Sequence, residues 1–493
     1  MPEPVRRCTK EVRPHALAGQ ARRARGRVVN DVHSGLNRTR VRSIVRPDSI
    51  EAVRAVIAEA KAAGRAVSVA GGRHAMGGQQ FASDAVLLDT SRMNRVLRLD
   101  AARPEVEVEA GIRWPELVNH LVEAQRGRPR QFGIIQKQTG ADCLSVGGAL
   151  AANIHGRGLT LKPFIGDIES FVLVDAEGNV LRCSRRENPE LFGLAVGGYG
   201  LFGVVASVTL RLAPRRKLRR VVRLADVSDL MHAFDERVRE GFLYGDFQFM
   251  TDAASEGFLR RGVFSCYEPV PDDAGAPPSH KELSAGEWKH LLYLAHADRR
   301  RAFETYAAHY LSTDGQLYWS DTHQLSVYLD DYHRELDLRL GATHRGSEMI
   351  TEVYVPRAEL ARFMEATRED FRARRAELIY GTVRLIERDD ESLLAWARER
   401  YACVVFNLHV EHTRAGVERA RGDFRRLIDR AVGHGGSYYL TYHRWATREQ
   451  VLACYPQFPE FLRLKKRYDA AETFQSDWYR HYKAMFAPRR PAL

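Results

Sequence analysis

Val69-Ala70-Gly71-Gly72-Arg73-His74 and Ser145-Val146-Gly147-Gly148-Ala149-Leu150-Ala151-Ala152-Asn153-Ile154-His155-Gly156 are the stretches on which the reading of this 493-residue chain turns. The first follows Ala66–Ala70, an apolar run that reads as a buried strand. Glycines after a strand let backbone N–H groups approach a phosphate closely, because no Cβ intervenes. Gly71, Gly72, Gly77 and Gly78 supply this in one loop; Gly147, Gly148 and Gly156 supply it in a second, which runs from about Gly140 to Gly158. Neither loop is G-x-G-x-x-G, and no G-x-x-x-x-G-K-[ST] occurs. Taken singly, each loop fits a tight turn at a strand end equally well.

Working outward, Pro47-Asp48-Ser49 opens a helix, with Asp48 and Glu51 at capping-box spacing. Val53, Val56, Ile57 and Ala60 share one face of it, and Gly64 is a C-terminal stop. Strands follow near Ala85–Leu88 and Val96–Asp100. Glu105–Glu109 alternates and should keep one wet face. Leu117, Val118, Leu121 and Val122 mark an amphipathic helix. Ser170–Val174 and Val180–Cys183 flank the turn residues Asp175–Asn179, a hairpin signal. Leu201–Leu212 reads as a strand ending at Pro214.

From about residue 216 to 430, strand-like runs mix with long charged helices, interrupted by a loop over Pro269–Pro278. The last 60 residues or so return to a compact pattern. No internal repeat is present. The expected class is α+β, with residues 1–34 a basic tail, 35–215 a nucleotide domain, 216–430 a middle domain, and 431–493 returning to the first.

The chain is 44% hydrophobic, enough for a large core. No apolar run approaches the roughly 20 residues that cross a bilayer. Arg6, Arg7 and Lys10 precede no apolar segment, so the expected location is cytoplasmic. The six cysteines are scattered without a C-x-x-C pair, which suggests reduced thiols, no disulfide framework and no metal site. Net charge is +12, part of it in residues 1–28, which hold eight Lys/Arg against two acidic residues. That stretch reads as a solvated terminus, and no motif supports nucleic-acid binding.

The order of several motifs is more specific than any one of them. After Val69–His74 come Thr139-Gly140, Ser145–Gly156, Glu190-Leu191-Phe192, and Gly197-Gly198-Tyr199-Gly200-Leu201-Phe202-Gly203-Val204. Tyr455-Pro456, Phe461, Lys465, Tyr468-Asp469 and Phe474 close the series. This set resembles the vanillyl-alcohol-oxidase or PCMH-type FAD-binding family. Within it, it is most similar to sugar, polyol and aldonolactone oxidases and decaprenylphosphoryl-ribose oxidase. The resemblance covers residues 35–215 and 430–480 well and the middle domain faintly.

The resemblance implies an FAD domain of two α+β subdomains and a cap domain of sheet plus helices. Gly71, Gly72, Arg73, His74, Ala75, Met76, Gly77 and Gly78 would wrap the diphosphate. Gly140, Ser145, Val146, Gly147 and Gly148 would continue that cradle. Ala152, Asn153, His155 and Gly156 would pass near the flavin ring, with Val204 at the adenine side. His74 stands where many members bond the flavin covalently, although Arg73 and Ala75 replace the usual Gly and Ser beside it.

On the substrate side, Tyr439-Leu440-Thr441-Tyr442 reads as a strand returning to the flavin, with Tyr439 and Thr441 on one face and Tyr442 on the other. The ribose-oxidising relatives carry Tyr at the position of Tyr439 and Lys at that of Tyr442; the missing Lys speaks against their substrate. Thr382–Ile386 and Val405–His409 look like strands, and Arg384 and His409 match an Arg and a His of alditol oxidases. His155, Tyr439, Tyr442, Arg384 and His409 are therefore the expected catalytic set, and Glu348–Val353 is a further candidate stretch. The expected reaction is oxidation of a CH–OH group of a sugar, polyol or lactone, with O2 or another acceptor reoxidising the flavin. The alternatives are an NAD(P)H-supplied C=C reductase and a flavin-fold binding protein without catalysis.

Overall fold

The computed structural model describes residues 26–275, 281–326, 329 and 332–488. The basic tail up to residue 25 and residues 276–278 of the Pro269–Pro278 loop lie outside these.

The fold is α+β, assembled from separate sheets. A short antiparallel ribbon, β1 (Arg27–Val29) with β2 (Thr39–Val41), precedes a parallel three-stranded sheet of β3 (Ser43–Val45), β5 (Val86–Asp89) and β4 (Val67–Ala70), in that order. Helix Ile50–Ala62 buries Val53, Val56, Ile57 and Ala60, as its spacing requires. Its N-cap is Ser49, whose hydroxyl accepts from the Ala52 amide, and not the Asp48 expected from capping-box spacing. Gly64 follows at φ +62°, a conformation a side chain would strain.

A second, antiparallel sheet is built from β6 (Val96–Asp100), β7 (Glu105–Glu109), β8 (Phe132–Ile134), β9 (Ile168–Val174), β10 (Val180–Ser184) and β11 (Val204–Pro214). Its order is β10-β9-β11-β7-β6, with β8 on the end of β11. The β9–β10 hairpin turns at Asp175–Asn179, where the Asp175 carboxylate accepts from the Glu177 and Asn179 amides.

The third sheet has eight strands. In chain order they are β12 (Lys217–Asp226), β13 (Tyr244–Phe249), β14 (Arg261–Pro269), β15 (Leu317–Trp319), β16 (Gly346–Pro356), β17 (Leu378–Ile386), β18 (Tyr401–Glu411) and β19 (Ser437–Tyr438). In space the order is β15-β12-β14-β13-β17-β18-β16-β19. Strand alternation gives this sheet two unlike faces. Val353, Val404, Phe406 and Val383 point to one side, where Phe363 and Phe371 of helix Leu360–Arg374 pack on Phe406. The opposite face presents Asp246, Gln248, Glu348, Glu352, Arg384, Asn407 and His409, and its Asp246, Gln248, Arg384 and Asn407 line the roof of a large cleft.

The chain's last segment stitches itself to the first sheet. The Val67 amide donates to the Thr473 carbonyl at 2.7 Å, and the Gln475 amide donates to the Val67 carbonyl at 2.9 Å. Phe474 is thereby placed against β4. Asp469 holds this return in place: its carboxylate accepts from the Thr473 and Phe474 amides and from buried Lys465.

Cys183, Cys266, Cys403 and Cys454 are free thiols. Cys143 is in a disulfide, which corrects the expectation of reduced thiols throughout. No helix among the described residues is long and apolar enough to cross a membrane.

Candidate active site

A cleft of about 2220 Å³ lies between the two glycine loops and the polar roof. Pockets for drug-sized ligands span about 300–1,000 Å³, so there is room for a dinucleotide and a substrate together.

The first loop leaves β4 and turns at Arg73, which has φ +61°. A non-glycine residue tolerates this conformation only when its surroundings hold it. Here the Arg73 guanidinium meets buried Asp89 at 2.8 Å, and the Arg73 carbonyl accepts from the Val32 amide. The amides of Gly72, Arg73, Ala75 and Met76 donate to no other described residue. They line the cleft as a row of open donors, and they fit an anionic diphosphate.

The second loop is different. Val146 donates to Ile112 O, Gly147 to Ala110 O, and Gly148 to the Ser145 hydroxyl. These amides are consumed by the protein itself. Its residues pack tightly: a Cβ on Gly147 would sit 2.7 Å from Ala110 Cβ, and a Cβ on Gly71 of the first loop would sit 2.0 Å from Ser145 Oγ of the second. Gly140, at φ +78°, faces open space, with no atom within 4 Å of where a Cβ would stand. Together the loops would hold FAD with the first as phosphate cradle and the second as a rigid wall.

His74 lines the cleft, with Nδ1 2.9 Å from His33 Nε2. Burial, then the charges of His33 and Arg113, push its pKa well below the ordinary value, against a hydrogen bond to the Cys143 backbone. The ring is therefore neutral at pH 7, the form in which imidazole is a nucleophile.

On the roof, Glu352 is the hub. Its Oε1 accepts from Tyr354 (2.6 Å) and Cys403 (3.3 Å) and lies 2.5 Å from His155 Nε2; its Oε2 accepts from Tyr442 at 3.0 Å. Burial pushes this carboxyl upward, but His155, Tyr354 and the nearby Arg384 charge outweigh it and hold the pKa at about 2. Burial, and then the Glu352 charge, push the Tyr442 phenol well up, so it keeps its proton. Arg384 is 5% exposed, lines the cleft, and leaves Nε and Nη1 without a hydrogen-bond partner among the described residues. A buried guanidinium with open donors calls for an oxygen from a ligand.

Of the expected site residues, Gly71, Gly72, Arg73, His74, Ala75, Met76, Gly140, Ser145, Gly147, Gly148, Ala152, Tyr439, Tyr442 and Arg384 line the cleft. Gly77, Gly78, Val146, Asn153, His155, Gly156 and Val204 stand behind its surface, so their part is to position other groups. Asn153 shows how: at φ +48° it ends helix Val146–Ala152, and its side chain bonds Asp389 and the Ile165 amide.

Two corrections concern the substrate side. Tyr439–Tyr442 is no strand: β19 stops at Tyr438, and the chain turns there. The turn lets Tyr439 and Tyr442 both face the cleft, ring edge to ring face at 5.5 Å, where strict alternation would separate them. Tyr439 is fixed by its hydroxyl bond to Ala152 O at 2.6 Å. His409 does not join Arg384 on the cleft wall; it belongs to a separate group around Glu348. Tyr354 and Cys403 join the site without being among the residues expected from the sequence. Their only signal was placement on the polar-face register of β16 and β18.

Comparison with known proteins agrees with this geometry. Residues 41–184 match the family described as FAD binding domain. The chain is 28% identical over 196 residues to L-gulonolactone oxidase of Bos taurus, covering 40% of this chain and 42% of the relative. It is 34% identical over 186 residues to the mitochondrial L-galactono-1,4-lactone dehydrogenase 1 of Oryza sativa subsp. japonica, covering 38% and 30%. It is 24% identical over 439 residues to L-gulono-1,4-lactone dehydrogenase of Mycobacterium tuberculosis, covering 89% and 95%. The match to the bovine and rice relatives thus spans less than half of their length, whereas the mycobacterial match is nearly end to end. Residues 41–184 are thus an FAD-binding domain, and with the open-amide cradle the chain is similar to PCMH-type, FAD-linked sugar and aldonolactone oxidoreductases.

Proposed function

We propose that this protein oxidises a CH–OH group of an aldonolactone or a related sugar or polyol. One observation carries the reading: a buried Arg384 with open donors on the roof shares the cleft with Tyr442, which is anchored through Glu352 to His155 behind the cleft surface. When bound, FAD supplies the hydride acceptor. Arg384 binds a substrate oxygen and sets which carbon is presented. Tyr442 hydrogen-bonds the reacting hydroxyl and relays its proton to the Glu352–His155 pair. Tyr439 and the aromatic wall around it exclude water. The relatives named for L-gulono- and L-galactonolactones support a lactone as the first substrate to try. We further propose that neutral His74 is the attachment point for the flavin.

The test is anaerobic mixing of the purified yellow protein with L-gulono-1,4-lactone, L-galactono-1,4-lactone, alditols and aldoses. Bleaching of the flavin absorbance by at least one of them is expected. Bleaching by NADPH alone, with none from the panel, sinks the proposal in favour of a reductase. For His74, flavin that stays with acid-precipitated protein, and is released in His74→Ala, is the expected result.

A further inference from the structure

We propose that His296, Glu348 and His409 form a binding site for one divalent transition-metal ion of the zinc class. Glu348 Oε1 lies 3.0 Å from His296 Nε2 and 3.5 Å from His409 Nδ1, and the three ligand atoms are all within 4.8 Å of one another. Zinc binds imidazole nitrogen and carboxylate oxygen at about 2.0–2.2 Å. A tetrahedral arrangement at that radius spaces neighbouring ligand atoms by roughly 3.3 Å, and the two distances fall on either side of that figure.

Three features favour an ion over a plain hydrogen-bonded cluster. His409 Nδ1 is buried, and among the described residues its nearest polar partner is Glu348 Oε1, at 3.5 Å too long for a good hydrogen bond. The His409 ring lies against Gly346 so closely that a Cβ there would come within 2.2 Å of its Cε1, which fixes the ring. The second carboxylate oxygen is already held by His333 Nδ1 at 2.8 Å and by the Tyr332 hydroxyl at 2.5 Å. Such outer contacts orient a metal-binding carboxylate and leave its first oxygen for the ion. Two imidazoles and a carboxylate suit zinc, with copper and nickel as competitors. A water or substrate oxygen would complete the coordination.

The three ligands come from three elements: helix Ala285–Ala297, β16 and β18. Cross-strand register sets Glu348 opposite His409, and the helix brings His296 down onto them. Trp288, Leu291 and Ala295 of that helix line the cleft, as does His333, so an ion here would pin one cleft wall to the roof. Four residues along β16 separate this site from Glu352, about 13 Å.

The experiment uses untagged holoprotein, stripped with a chelator and dialysed, then titrated with Zn2+ while bound metal is measured by elemental analysis. Co2+ serves as a spectroscopic probe through ligand-field bands beyond the flavin absorption. The expected result is one zinc per chain, displacement of Co2+ by Zn2+, and affinity lower by ~100-fold or more in Glu348→Gln and His409→Ala, but unchanged in His412→Ala. Absence of zinc uptake by the wild type overturns the proposal, as does uptake that persists in both ligand variants. If the variants do not fold, the wild-type Co2+ spectrum decides: tetrahedral bands uphold the site, and a hexa-aquo spectrum overturns it.

Discussion

Glu348 and Glu352 lie four residues apart on one face of one strand, both buried, both held as carboxylates against the upward push of burial. Their neighbours make them different groups. Glu352 is enclosed by one histidine, two tyrosine hydroxyls and a thiol, and of these four partners Tyr442 lines the cleft. Glu348 is met by His296, His333 and His409, with Tyr332 beside them. The strand supplies the same position twice; the elements that pack on it choose between the proposed proton relay and the proposed ligand set.

The comparison breaks first, if it breaks, at Glu352. Glu352→Gln removes the charge that anchors Tyr442 and His155, and the rate of flavin reduction by the best substrate should fall about 10²–10⁴-fold, the range for a positioned acid–base system. Stopped-flow traces that match the wild type would show that Glu352 is merely structural.

Stability comes next. Glu352→Ala leaves His155 and two tyrosines unpaired inside the protein, a loss of about 3–5 kcal/mol measurable by urea unfolding. The folded pKa of about 2 lies below the ordinary 4.5, so the contribution is complete above about pH 4.5 and vanishes as pH falls towards 2. Wild type and variant should therefore converge in stability across that window. Parallel curves from pH 5 to 2 would mean that the carboxylate is not held ionised.

Tyr442→Phe removes one hydrogen bond to a charged group. That is about 1.5–3 kcal/mol, so kcat should drop about 10- to 100-fold while FAD content stays unchanged. The smallest effect belongs to Cys403→Ser, which keeps a donor at the same place; stability should shift by less than about 1 kcal/mol. A large loss there would mean that the thiol does more than fill the shell around Glu352.

Much of the flavin half was legible because its signals are local. Val67–Ala70, the Asp175 turn and the spaced face of helix Ile50–Ala62 are decided by residues close in sequence. The ordered glycine motifs identified the cofactor for a related reason, although the structure divides their labour between open donors and tight packing. The substrate side was legible only in part. Glu348–Val353 stood out as polar residues in a strand-like run, but His155, Cys403 and Tyr442 converge on Glu352 from remote positions, which no spacing rule reports. His296 sits in a helix whose sequence gives no hint of β16 below it. Tyr439–Tyr442 misled because β19 ends two residues after it begins.

The stitching of Val67 to residues 473–475 has a consequence for synthesis. Gly77 donates to Thr441 O, and the Gln79 side chain donates to Leu440 O and Thr441 O, so the cradle loop also leans on residues made more than 350 positions later. Contacts of such separation form slowly and late. A nascent chain on the ribosome carries β4 with a bare edge, the kind of edge that recruits other chains. Yellow colour in a cell extract would then report finished molecules only, and a version shortened before Thr473 should be found in the insoluble fraction rather than as a smaller flavoprotein.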